Sequence, residues 1–119
     1  MRDTTRRFLI LGAMMMALGV MIGAFGAHSL KNSLDAYSLG IFATGVEYQF
    51  YHALGLFVVA FALHVKVDTQ IKIAGYIMLS SIFVFSGSLY ILALTGIKWL
   101  GAITPIGGLG FIVAWILLA

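Results

Sequence analysis

The sequence predicts an all-α, polytopic membrane protein: an antiparallel four-helix transmembrane bundle with a short outer amphipathic helix. Three observations lead there. Of 119 residues, 62% are hydrophobic and only 9% charged, where a soluble domain carries about 25%. The apolar residues come in runs of about 20, the length a helix needs to cross a bilayer core of roughly 30 Å. The charges sit at the ends of those runs. Four spans, at about 8–27, 45–64, 73–95 and 99–118, occupy nearly the whole chain as a single transmembrane domain 1–119.

Span one has no strongly polar side chain from Phe8 to Ala27. Arg6-Arg7 before it resembles an export signal, but a cleavable apolar region has about 7–15 residues, so this span is expected to stay. Gly12, Gly19, Gly23 and Gly26 share one face, with Gly19 and Gly23 as a G-x-x-x-G pair. Small residues let membrane helices approach closely, so the face is read as packing, as are Gly87 and Gly108 in later spans. Met14-Met15-Met16 reads as lipid-facing or gap-filling bulk.

Between spans one and two, Leu30, Leu34, Tyr37 and Ile41 recur at helical spacing, with Lys31 and Asp35 forming an i,i+4 pair off that stripe. This predicts a short amphipathic helix on the membrane surface. Span two is polar in its first half, Glu47-Tyr48-Gln49-Phe50-Tyr51-His52, and apolar in its second. Span three is uncharged from Ile73 to Ile97. Span four holds the lone proline, Pro105, about six residues in. Because proline breaks the helical ladder, a kinked or broken helix is expected there.

Basic residues favour the cytoplasmic side of short loops. Arg2, Arg6, Arg7, Lys66 and Lys72 lie on one side and only Lys31 and Lys98 on the other. Both termini are therefore expected in the cytoplasm, with Trp99 at the outer interface and Trp115 toward the inner one. The absence of cysteine excludes disulfides, thiolate metal sites and cysteine nucleophiles. The net charge of +3 is too small to mark a nucleic-acid partner.

At 100° per residue, Thr44, Glu47, Tyr48, Tyr51, His52 and Gly55 occupy one arc of span two, flanked by Gln49. Phe50, Leu54 and Phe57 fall opposite and suit lipid. If span two starts near Gly45, His52 lies about 10 Å deep. The same depth then falls near Ser86, Ser88 and Tyr90 in span three and near Thr104 in span four, with His28 level with Glu47. The expectation is an outer-leaflet polar cluster lined by all four spans: His28, Glu47, Tyr48, Gln49, Tyr51, His52, Ser86, Ser88, Tyr90 and Thr104.

Each of these has a plain reading beside the sharp one. Glu47 is either a proton carrier or an interfacial acid paired with Lys31 or His28; the second is preferred. His52 is either proton-linked or ligand-binding, or a hydrogen-bonded histidine that holds helices together. Haem ligation by His28 and His52 fails on depth, three scattered histidines lack metal-ligand spacing, and no base is spaced to activate Ser86 or Ser88. No catalytic residue, metal or cofactor is expected.

Four ordered stretches carry a resemblance: Gly23-Ala24-Phe25-Gly26-Ala27-His28; Tyr48-Gln49 with Tyr51-His52-Ala53-Leu54; Phe85-Ser86-Gly87-Ser88-Leu89-Tyr90; and Gly101-Ala102-Ile103-Thr104-Pro105-Ile106-Gly107-Gly108. The chain resembles the YgdD/YwdK-type small bacterial inner-membrane proteins, a domain of unknown function with a eukaryotic small transmembrane relative. The resemblance implies a four-span protein of the bacterial cytoplasmic membrane and no particular reaction. It shifts weight from Glu47 to His28, Tyr48, Gln49 and His52. The reading is a non-enzymatic accessory, assembly or lipid- and small-ligand-binding protein. Its partners would be the bilayer, a membrane protein or a second copy through the Gly12/Gly19/Gly23 face. The alternative is a proton-coupled or small-solute transporter hinged at Pro105.

Overall fold

A computed structural model describes residues 2–119. The described chain forms α1 (Asp3–His28), α2 (Ala36–Val65), α3 (Thr69–Thr95), a short 3-10 helix (Lys98–Ala102) and α4 (Thr104–Leu118). The four regions Asp3–His28, Ala36–Val65, Thr69–Thr95 and Lys98–Leu118 are each long and apolar enough to span a membrane.

Local chemistry sets the ends. Asp35 caps α2 by accepting from the Ser38 N–H at 2.7 Å, and Asp68 caps α3 by accepting from Gln70 N–H at 2.7 Å. Short acidic side chains satisfy the otherwise free amides of a first turn. α3 stops at Gly96, whose φ of 72° is left-handed and suits glycine. At the end carrying both termini, Arg2 Nη1 donates to the Leu63 and His64 carbonyls at 2.9 and 3.1 Å, closing the C-terminus of α2. Gln70 Nε2 does the same for α4 at the Leu117 carbonyl (2.9 Å). Arg7 donates to the Tyr76 hydroxyl, tying α1 to α3.

Pro105 resolves into a break. The chain turns through the 3-10 helix, and α4 begins at Thr104 with Pro105 in its first turn, where a missing N–H costs nothing. The predicted surface helix is helical only from Ala36, and it runs into α2 without interruption; residues 29–34 form turns. Asp35 is committed to the Ser38 cap. With 30 residues, α2 is about 45 Å long, so its first turns extend beyond a hydrocarbon core of roughly 30 Å. Tyr37 there is 76% exposed.

The molecule measures 47 × 27 × 16 Å. α2 and α3 form the central pair; α1 flanks them on one side and α4 on the other, in an open bundle. The seam between α1 and α2 interleaves glycine with aromatic rings. A Cβ on Gly26 would meet the Phe42 ring at 2.5 Å, on Gly19 the Phe50 ring at 2.6 Å, and on Gly12 the Phe57 ring at 3.0 Å. The glycine face of α1 is thus used within the chain. Phe50 and Phe57, expected in lipid, are its counterparts; only Leu54 keeps the exposed position.

Other seams work alike. Phe8, fully buried, fills the notch at Gly75 and packs on the Tyr76 ring at 5.0 Å. Gly107 and Gly110 bring α4 onto α3, where a Cβ would strike the Phe85 backbone nitrogen at 2.6 Å or Ser81 Oγ at 2.1 Å. Gly87, expected at a contact, has nothing within 4 Å of its would-be Cβ, and Gly108 only an ordinary contact with Phe85. Helix periodicity marks which small residues share a face, but not which neighbour that face meets.

Candidate functional site

The polar residues of α2 divide into two groups. Gln49, 3% exposed, bridges three helices: its Nε2 donates to the Met15 carbonyl at 2.8 Å, and its Oε1 accepts from the Tyr90 hydroxyl at 2.6 Å. Ser86, buried, donates to the Gly45 carbonyl at 2.7 Å. Tyr90 can come this close because Gly45 has no side chain; a Cβ would meet its ring at 2.7 Å.

Ser88 and Thr104 join α3 to α4 at 2.6 Å. Each hydroxyl has one proton. Ser88 Oγ lies 2.9 Å from the Phe85 carbonyl, which can only accept, so Ser88 donates there and Thr104 donates to Ser88. That leaves the 3.4 Å approach of Thr104 to the Leu100 carbonyl as a weak contact. The hydroxyl protons of Ser86 and Ser88 are thus committed to carbonyls, not to a base. These residues act as interhelical bonds with their capacity already used.

His52 stands apart. Its Nδ1 is 2.7 Å from the Tyr48 carbonyl, one turn back. A carbonyl cannot donate, so Nδ1 carries the proton and Nε2 of a neutral ring is left as an acceptor. The imidazole lies flat on Phe111, centroids 3.5 Å apart and planes 9° apart, with Trp115 at 5.9 Å. Nε2 has no hydrogen-bond partner among the described residues. It is not sealed in either, since Thr5 Oγ1 is the one enclosed side-chain N or O there without a partner.

His52 lines a groove of about 570 Å³ between α2 and α4, together with Tyr48, Phe85, Pro105, Phe111 and Trp115. The Tyr48 ring packs on Phe85 at 4.6 Å, and the break before α4 places Pro105 at the groove wall. The groove is therefore aromatic and apolar, with an imidazole acceptor and a phenol on one side.

The other expected members lie elsewhere. Glu47 and Tyr51 are exposed and bond to each other, Tyr51 Oη donating at 3.2 Å; Glu47 makes no ion pair with Lys31 or His28. His28 is exposed at the end of α1 and joins no polar contact of the cluster. α1 contributes only the Met15 carbonyl, so the cluster is not lined by all four spans. The depth comparison fails for a definite reason. It counted span four as one α-helix from Trp99, whereas residues 98–102 form a separate 3-10 helix and α4 begins at Thr104. His52 pairs with Phe111, seven residues beyond Thr104 and about 10 Å along α4. Sequence reading missed Phe85, Phe111 and Trp115 as site walls. The four-residue spacing of Phe111 and Trp115, which puts them on one face, was the available signal. Among the described residues, no group of three His, Cys, Asp or Glu side chains is placed to hold a metal ion.

Four apolar helices stitched by a few satisfied polar side chains, with His52 and Tyr48 on a lateral groove, define a multi-pass α-helical membrane protein. The family described as "Protein of unknown function (DUF423)" matches residues 22–108. The chain is 51% identical over 112 residues to the UPF0382 membrane protein YwdK of Bacillus subtilis, covering 93% of this chain and 91% of that one. It is 47% identical to the UPF0382 membrane protein SSP2132 of Staphylococcus saprophyticus, covering 93% and 92%. It is 43% identical to SAB0533 of Staphylococcus aureus, covering 93% and 90%. The chain belongs to this family of membrane proteins of unknown function. No solved structure matches it.

Proposed function

We propose that this protein is a non-enzymatic component of the bacterial cytoplasmic membrane that binds a small amphipathic molecule, a lipid or lipid-like ligand, in the α2–α4 groove. In this reading it acts as an accessory or assembly factor, and both termini face the cytoplasm. The observation that carries it is His52: a buried imidazole held by Tyr48 and Phe111, with one ring nitrogen unpartnered beside an aromatic groove. Apolar clefts with a few convergent polar groups are the usual form of small-molecule sites. The orientation rests on the basic residues: Arg2, Arg6, Arg7, Lys66 and Lys72 share the terminal end, against Lys31 and Lys98 at the other.

The test is thermal stability of the purified protein with lipid extracted from its own membranes. Ligand binding raises apparent stability by mass action. Wild type gains, and Leu109→Trp, which fills the groove from its exposed rim, gains less. Equal gains in both proteins reject the groove as the site.

A second reading, a proton-coupled or small-solute transporter, draws on the helix break at Pro105, since broken helices beside polar sites are a transporter feature. Water-accessible labelling of cysteines placed along α2 from both membrane sides supports that reading; labelling from one side only rejects it.

A further inference from the structure

A second groove, of about 430 Å³, lies between the end of α1 and the first half of α2, on the opposite flank from the His52 groove. Its origin is visible in the sequence. α2 packs Phe42, Val46 and Phe50, one per turn, against the small residues of α1, and a trough runs along that seam past Gly23, Gly26 and Ala27. Among the described residues lining it, only Lys31 and Glu47 carry charge. They have opposite sign, both are exposed, and they border the same space without forming an ion pair.

We infer that this groove binds a phospholipid bearing a primary ammonium, with the phosphodiester on Lys31, the ammonium on Glu47 and an acyl chain along the Gly23–Phe50 trough. The chemistry fits at each point. An ammonium supplies N–H donors to a carboxylate, a bond roughly twice as strong as a neutral one. A quaternary trimethylammonium has no N–H to give. An anionic glycerol headgroup presents no cation to Glu47. The apolar wall matches an acyl chain and nothing more polar. The site also sits toward the headgroups: α2 is about 15 Å longer than the hydrocarbon core, which brings Glu47, about 16 Å from its start, close to that boundary and leaves the Lys31 turn outside it. Tyr51 donates to one carboxylate oxygen of Glu47, which holds the group in place and leaves the other oxygen open to a ligand. This inference uses different residues from the His52 groove and stands or falls separately from it.

The test is native mass spectrometry of the delipidated protein titrated with three lipids of identical acyl chains: phosphatidylethanolamine, phosphatidylcholine and phosphatidylglycerol. The expected result is a preference for phosphatidylethanolamine of about threefold to fivefold, the discrimination that one partly screened charge contact supplies. Glu47→Gln removes that preference while keeping overall binding. Lys31→Ala weakens all three lipids together. Equal binding of the three lipids overturns the inference, and so does a preference that persists in Glu47→Gln. A preference for phosphatidylglycerol that Lys31→Ala abolishes assigns the groove to anionic lipid instead and overturns it as well.

Discussion

Gln49→Leu and Tyr90→Phe, made singly and together, examine the bond that joins three helices. Gln49 is 3% exposed and makes two interhelical hydrogen bonds, at 2.8 Å to Met15 and 2.6 Å from Tyr90. Such bonds in membrane proteins average about 0.6 kcal/mol and reach about 1.7. Gln49→Leu keeps the bulk but loses both, and it leaves the Tyr90 hydroxyl without an acceptor; a loss of about 1–3 kcal/mol follows. Tyr90→Phe loses one bond and keeps the ring packed on Gly45 and Phe42, costing about 0.6–1.7 kcal/mol. The double variant removes a bond already broken, so the two losses do not add, and the coupling is also about 0.6–1.7 kcal/mol. Reversible unfolding in mixed micelles, followed by circular dichroism, supplies all four values. Losses that add within about 0.3 kcal/mol would refute the claim that Gln49 and Tyr90 are energetically joined.

Two glycines on adjoining helices should respond in opposite directions. Gly107→Ala meets the Phe85 backbone, which cannot move aside, and lowers the melting temperature; Gly87→Ala meets nothing and raises stability by up to about 1 kcal/mol through helix propensity. Arg2→Ala uncovers the last carbonyls of α2 and costs about 0.3–1 kcal/mol, read by the same unfolding assay and reduced at high salt. Asp35, held below the ordinary carboxylate range by the Ser38 amide, binds its proton less readily folded than unfolded. Its contribution is therefore complete above its unfolded value near pH 4 and is lost as pH falls through the lower folded value. Asp35→Asn, which caps without titrating, flattens that part of a melting-temperature profile against pH; an unchanged acid limb contradicts the cap.

The four spans were legible because each is an apolar run of membrane-crossing length, and the order and antiparallel sense follow from short connections. The break at Pro105 was legible for the same local reason, a missing N–H. Legibility ended where one helix meets another. Gly12, Gly19 and Gly26 announce a contact face, but nothing in α1 says that Phe57, Phe50 and Phe42 fill it. The stretch Leu30 to Ile41 was read as a surface helix separate from span two; the structure runs Ala36 onward straight into α2, and Asp35 capping Ser38 was the available signal for that start. Counting span four from Trp99 as continuous α-helix merged Thr104 with His52, because the 3-10 turn takes up residues 98–102 before α4 begins. Tyr48, Gln49 and His52 share a stretch of sequence, yet Gln49 turns to α1 and α3 while His52 turns to α4.

The most direct measurement is a native mass spectrum of the protein released from gently extracted native membranes, as wild type, His52→Ala and Glu47→Gln. Wild type is expected to carry lipid-sized molecules, with one fewer on His52→Ala and the same number on Glu47→Gln. A wild type that flies bare, or an equal number of adducts at equal occupancy on His52→Ala, would contradict a binding site at the α2–α4 groove and leave His52 a helix-joining residue alone.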